Sequence, residues 1–111
     1  MQGDIYLARL DPIKTGEVGK IRPVVVLTAD IFLPVTPVVF ICPLSSRSDP
    51  GCADLHLEVG PRENLHKVSF ALPEHARSIS KARLVMPRLA QLSPKEFQII
   101  IQNIQRLMGV F

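Results

Sequence analysis

Apolar residues recur along most of this chain at a spacing of two, and only near the end does the spacing become helical. From Asp4 to Leu10, Ile5, Leu7 and Arg9 alternate with Tyr6, Ala8 and Leu10, which predicts a half-buried strand ending at an Asp11-Pro12 turn. Residues 13 to 21 predict a loop. Gly16 and Gly19 open backbone angles closed to other residues there, and Lys14, Glu17 and Lys20 keep it solvated and able to approach a charged ligand. Val24 to Leu27 is an unbroken apolar run rich in β-branched residues, the pattern of a strand covered on both faces, and Val38 to Leu44 is another. Between Ser45 and Ala53, Ser, Arg, Asp, Pro and Gly follow one another closely and predict a mobile surface loop.

Leu55, Leu57 and Val59 alternate with Asp54, His56 and Glu58, which predicts a further half-buried strand closed by Gly60-Pro61 and turns His56 outward to solvent. Val68, Phe70 and Leu72 repeat the pattern, and His66 beside Lys67 falls in a solvated turn. A short strand around Ala76 to Ile79 leads through the basic connector Lys81-Ala82-Arg83 to a short apolar piece, Val85 to Leu92. The last element reads as a helix. Ser93 and Glu96 make a capping box, Pro94 suits the first helical position and Gly109 supplies the stop, while Phe97, Ile100, Ile101, Ile104, Leu107 and Met108 form one apolar stripe. Short strands followed by one terminal helix predict a mainly β domain, a small and strongly curved sheet or barrel capped by that helix.

Composition narrows the partners. At 111 residues and 47% hydrophobic content the chain is expected to form one domain over 1–111 with a single compact core. A net charge of +3 favours a polyanion partner. Cys42 and Cys52 are expected as free thiols in a reducing cytoplasm, and no Cys/His pair has ligand spacing, so neither metal nor cofactor is expected. No apolar run approaches the ~20 residues needed to cross a bilayer, and Asp4 sits where a targeting peptide would carry positive charge.

The order of elements in the N-terminal quarter is the most informative feature. Gly3-Asp4-Ile5-Tyr6, the Leu10-Asp11-Pro12 turn, Gly16-Glu17 in the loop and Arg22-Pro23-Val24-Val25-Val26 together resemble the MazF/PemK family of toxin endoribonucleases. The resemblance continues more weakly through Cys42-Pro43-Leu44-Ser45-Ser46, residues 69–84 and the last helix, so it spans nearly all of the chain. It implies an SH3-like, CcdB/PemK-like sheet and the toxin component of a type II toxin–antitoxin system. It also implies metal-independent, sequence-selective cleavage of single-stranded RNA, with 2′,3′-cyclic phosphate and 5′-hydroxyl products. Its expected partners are a second copy in a homodimer, whose two-fold interface forms the RNA groove, and a cognate antitoxin with an acidic, partly disordered segment.

Cleaving RNA without a metal requires the ribose 2′-hydroxyl to attack phosphorus in line. One group must take its proton, another must protonate the departing 5′ oxygen, and a cation must stabilise the pentavalent charge. Arg22 is the candidate cation, since a guanidinium offers a rigid fork of donors matched to phosphate oxygens; in the family this arginine is catalytic, although an exposed arginine flanking a strand gives the same pattern. Ser45 stands where the family places a Thr or Ser that orients the phosphate. Ser46 can take that place, and either can simply cap turn amides. Glu17 matches an acidic loop residue that acts as base or positions Arg22. Lys20, Arg62, Lys67, Arg77, Lys81, Arg83 and Arg88 can line an RNA groove with Arg22.

At Pro73-Glu74-His75-Ala76-Arg77 many relatives carry Asp-Gln ahead of the basic position. Here Glu74 is expected to hold a base or ribose hydroxyl, and His75, with an ordinary pKa of about 6.5, to contact substrate and shuttle protons, unless it is a partly buried strand histidine. Two other readings share the fold. One is a CcdB-like gyrase poison acting through the apolar tail Leu107-Met108-Gly109-Val110-Phe111, which lacks that toxin's tryptophan; the other is an inactive family member that only binds antitoxin.

Overall fold

The computed structural model describes residues 1–10 and 21–110. Its strands are β1 (Asp4–Arg9), β2 (Ile21–Val26), β3 (Val38–Ser45), β4 (Leu57–Val59), β5 (Ser69–Ala71), β6 (Arg77–Ser80) and β7 (Leu84–Gln91), followed by the helix α1 (Pro94–Met108). The sheet runs β4-β5-β3-β2-β1-β7 with every pairing antiparallel, and β6 joins it on β3. The curvature expected from many short strands has a specific origin. One edge of β3 is shared, Val38–Ile41 pairing with β6 and Leu44–Ser45 with β5, so the sheet folds over along that strand. A register shift between Ile5 and Leu7 bends β1 against β7.

The unbroken Val24–Val26 run is buried on both sides, as its composition predicts. Val25 joins Ile5, Cys42, Leu44, Val59, Ala71 and Ile100 in a core beneath α1, while Val24 and Val26 join Ala8, Val39, Ile41 and Ile79 in a second core on the opposite face. Fully burying one such side chain contributes about 1.5–3 kcal/mol, so each of these valines adds to the stability of the sheet's centre.

Helix α1 begins as its sequence requires. The Glu96 amide donates to Ser93 Oγ at 3.1 Å, the Ser93 amide donates to Glu96 Oε1 at 2.8 Å, and Gly109 closes the helix at φ 74°. Arg62, in the β4–β5 connection, donates through both terminal nitrogens to the Glu96 carboxylate, the Nη2 contact being 2.7 Å. That bond holds the Glu96 carboxyl below its ordinary pKa and raises Arg62. Near its C-terminus, Asn103 is buried and donates to Leu55 O at 2.9 Å, and Arg106 reaches Asp54 Oδ2 at 3.2 Å. The helix is thereby clasped to the segment after β3.

Three elements depart from expectation. Pro50–Leu55 winds into a 3-10 turn, started by Asp49 Oδ1 accepting from the Gly51 amide at 2.9 Å, so the strand expected from Leu55 begins at Leu57. The apolar piece expected over Val85–Leu92 falls, except for Leu92, in the eight-residue edge strand Leu84–Gln91 on β1, a position that tolerates Pro87. Leu107 and Met108, read as the end of the apolar stripe, are 46% and 64% exposed because α1 outruns the surface it packs on.

Candidate active site

Arg22 lies near the start of β2, opposite Ala8 of β1 and one residue before Pro23. The β2–β3 ladder pairs Val24 with Pro43 and Val25 with Cys42; continued in the same register, it sets Arg22 opposite Ser45. Both side chains are half-buried, and both line an open hollow of about 700 Å³ together with Ser46, Arg47, His66 and Lys67. Arg22 also borders a second hollow of about 410 Å³, where it meets Leu10, Pro43, His75 and Arg77. A third, of about 360 Å³, shares Arg47 with the first and His75 with the second, and it includes Ser48, His56 and Glu74. The three adjoin one another through these shared residues, and the first two meet at Arg22.

The electrostatics of this surface favour an anion. Among the described residues, no carboxylate lies within ion-pair distance of Arg22, Arg47, Lys67 or Arg77. Ser45 Oγ accepts from the Arg47 amide at 3.1 Å, which shapes the turn leaving β3 and leaves the hydroxyl proton free to donate into the hollow. Turn capping and phosphate contact are therefore compatible in this residue.

Deeper in, Ser48, His56 and Glu74 form a chain. Ser48 Oγ lies 2.7 Å from His56 Nδ1, and His56 Nε2 lies 2.6 Å from Glu74 Oε2. With the imidazole neutral, the serine O–H donates to Nδ1 and Nε2–H donates to the carboxylate, so each ring nitrogen is satisfied. Glu74 Oε1 is buried without a hydrogen-bond partner among the described residues. The connectivity is that of a serine–histidine–acid triad. However, Nδ1 rather than Nε2 faces the hydroxyl, and the His56 side chain is only 2% exposed, so little of the imidazole is open to a substrate.

A sequence profile described as PemK-like, MazF-like toxin of type II toxin-antitoxin system matches residues 1–108. The chain belongs to that family. A relative, Endoribonuclease MazF of Staphylococcus saprophyticus, is 32% identical over 110 residues, covering 98% of this chain and 91% of its own length. Among solved structures, MazE-MazF from Deinococcus radiodurans superposes with a TM-score of 0.80 at 22% identity, covering 98% of this chain and 95% of its own. An endoribonuclease in complex with its cognate antitoxin from a Mycobacterial species superposes at 0.72 with 15% identity, covering 100% and 94%. The curved sheet with its C-terminal helix is thus the fold of MazF-like toxins.

In this MazF-like toxin the structure gathers Arg22, Ser45, Ser46, His75 and Arg77 around the adjoining hollows. Glu17 and Lys20 lie outside the described residues. Glu74 lines the third hollow, but one of its oxygens is occupied by His56 and the other is buried. His75 is exposed in the Pro73–His75 3-10 turn, which excludes the partly buried strand histidine. Several basic residues expected along a groove are engaged elsewhere. Arg62 pairs with Glu96, Arg88 with Asp4 and Glu63, Lys81 Nζ donates to Leu33 O, and Arg83 donates to Arg9 O.

The outward, solvated His56 is overturned, because the preceding 3-10 turn changes the phase of the chain and delivers its ring inward. Arg47, Ser48 and His56 were missed. Arg47 had a signal, being a basic residue directly after the Ser45-Ser46 pair; the other two had none until the turn was seen. Cys42 and Cys52 are both free thiols, and burial pushes the Cys42 thiol up to about 12.

Proposed function

We propose that this chain is an endoribonuclease that cleaves single-stranded RNA using only its own side chains. The observation that carries the reading is Arg22: half-buried on a rigid strand start, without a carboxylate partner among the described residues, and open to two hollows. A guanidinium held that way meets the equatorial oxygens of a transferring phosphoryl centre and stabilises the charge that builds on them. The Ser45 hydroxyl, opposite, donates to a non-bridging oxygen and orients the phosphate for in-line attack. The 2′ oxygen bonds to phosphorus as its proton leaves to a base, and the P–O5′ bond breaks as that oxygen takes a proton. The products are then a 2′,3′-cyclic phosphate and a 5′-hydroxyl. Glu17 and His75 are the proton-transfer candidates of this scheme, the second at the boundary of two hollows.

Ser46, Lys20, His75 and Arg77 hold the flanking nucleotides, with phosphates gripped by the cations and unstacked bases accessible only in a single strand. The Mycobacterial neighbour bound to its antitoxin, together with the positive surface here, supports a cognate antitoxin that covers the groove with an acidic segment. A homodimer sharing that groove across its two-fold axis completes the reading.

Incubating the protein with a long single-stranded RNA in EDTA tests it. Cleavage that tolerates chelation and disappears in Arg22→Ala is expected. The exposed tail of α1, with Leu107, Met108 and Val110 open to solvent, keeps one rival reading, a non-enzymatic poison of DNA gyrase. Intact RNA together with trapped gyrase–DNA complexes would establish that rival.

A further inference from the structure

The turn that leaves β3 carries two groups of the nuclease site, the Ser45 hydroxyl and the Arg47 guanidinium, within three residues. Such a turn, rich in small polar residues, has little apolar surface to hold it down. Its anchorage is instead polar and comes from elsewhere in the fold. Arg47 N donates to Ser45 Oγ, Ser48 Oγ is bonded to the His56 imidazole, and that imidazole is bonded to Glu74 at the start of the turn ahead of β6. The far end of the same segment is clasped by α1, where Asn103 holds Leu55 O and Arg106 holds Asp54. His56 thus stands between the turn leaving β3 and a carboxylate beside Pro73, which is itself buried. A chain of polar bonds with one member this deeply enclosed ties the segments it joins to one arrangement.

The geometry points to Ser48, His56 and Glu74 as positioning residues of the cleavage site, a reading that rests on the proposed nuclease function. They set the Ser45–Ser48 turn so that the Ser45 hydroxyl faces Arg22 and the Arg47 guanidinium overhangs the junction of two hollows, where it binds the phosphate next to the one being cut. None of the three touches the RNA. His56 is enclosed, Ser48 Oγ is turned to it, and the Glu74 carboxylate is divided between His56 and a buried position. The carboxylate at position 74 therefore serves the substrate through the imidazole, not by contact with bases.

Ser48→Ala removes one link with little else, since Ser48 lies on the surface segment and packs no core. Its effect should fall on turnover. We expect kcat to drop about ten-fold with KM changed less than about two-fold, because a small displacement of an orienting group is felt mainly in the transition state. Ser48→Thr, which keeps the hydroxyl, should restore the rate. Ser48→Ala/Glu74→Ala should be no slower than the slower single variant, as expected for groups acting along one path.

Hydrogen exchange at the Arg47 amide, which donates to Ser45 Oγ, supplies a readout independent of RNA: it should speed up in Ser48→Ala while the α1 amides keep their protection. Unchanged kcat in Ser48→Ala, failure of Ser48→Thr to rescue, or a rate loss matched by a general loss of thermal stability would each overturn the assignment. A wild-type protein that leaves RNA intact would overturn the nuclease reading instead, and the Arg47 amide would still decide whether the three residues hold the turn.

Discussion

On the proposed mechanism, replacing Arg22 should separate binding from catalysis, and the groups around it bound the size of each effect. Arg22→Ala removes a forked donor from the point where two hollows meet, but Arg47, Lys67 and Arg77 remain as cations around the same surface without carboxylate partners among the described residues. RNA affinity should therefore fall by a few-fold, and the dependence of log K on log salt should flatten by roughly 0.7, the contribution of one phosphate contact to a single strand. The chemical step loses a preorganised donor aimed at developing charge, which costs about 2.7–4 kcal/mol, or 10²–10³ in rate. Arg22→Lys keeps the charge and loses the fork, so its rate should lie between the two. Stability should hardly change, because no ion pair with a described residue is broken and the core begins two residues later at Val24. Single-turnover cleavage of a fluorogenic oligonucleotide, with enzyme in excess, reads the chemistry. Anisotropy with the 2′-deoxy analogue, which cannot be cut by in-line attack, reads the affinity. Undiminished turnover in Arg22→Ala, or a rate that falls only in step with affinity, would refute the role.

Ser45→Ala should slow cleavage by about 10–100-fold and Ser46→Ala far less, since continuing the β2–β3 ladder in register brings Ser45, and not Ser46, opposite Arg22; equal effects in a kinetic assay would show that the loop had been aligned wrongly. The Arg62–Glu96 pair makes stability depend on pH with a definite sign. The folded-state pKa of Glu96 is depressed, so its contribution is present above the unfolded glutamate value of about 4.3 and is lost as pH falls through the lower folded value. Denaturant titrations should show the wild type more stable than Glu96→Gln at pH 7, with the gap closing below about pH 4. With its thiol pushed up to about 12 and its side chain in the core, Cys42 should resist a disulfide reagent at pH 8 in the native protein and react only on unfolding; two fast thiols in the folded state would contradict the packing of β3.

The parts of this fold legible in the sequence are those whose cause is local. The α1 capping box needs only Ser93, Pro94 and Glu96, and the doubly covered β2 strand shows itself as consecutive valines. Pro23 and the valines mark a strand start beside Arg22, but its choice as the catalytic candidate rested also on the chemistry of a guanidinium and on the family resemblance. Non-local causes stayed hidden. Nothing along the chain says that β5 and β6 divide one edge of β3, or that α1 reaches back to Leu55 and Asp54. His56 shows the difference most sharply. Its alternation with Leu55 and Leu57 implies an outward side chain only if the strand has already begun, and the Asp49-initiated turn delays that beginning to Leu57. The four basic residues of the second half that pair elsewhere were indistinguishable by sequence from Lys67 and Arg77, because their acceptors lie far away in the chain.

Arg22 projects from the end of a strand whose Val24, Val25 and Val26 are among the most deeply enclosed of the described residues. In the proposed mechanism the guanidinium fork is mounted on a well-packed strand, yet carries none of its weight. A lesion at that tip would disarm the protein while leaving its outline intact, and such a blunted copy would still occupy any partner that reads shape and charge. On the proposed reading, inactive copies in a mixed population would then compete with active ones for the same cognate antitoxin.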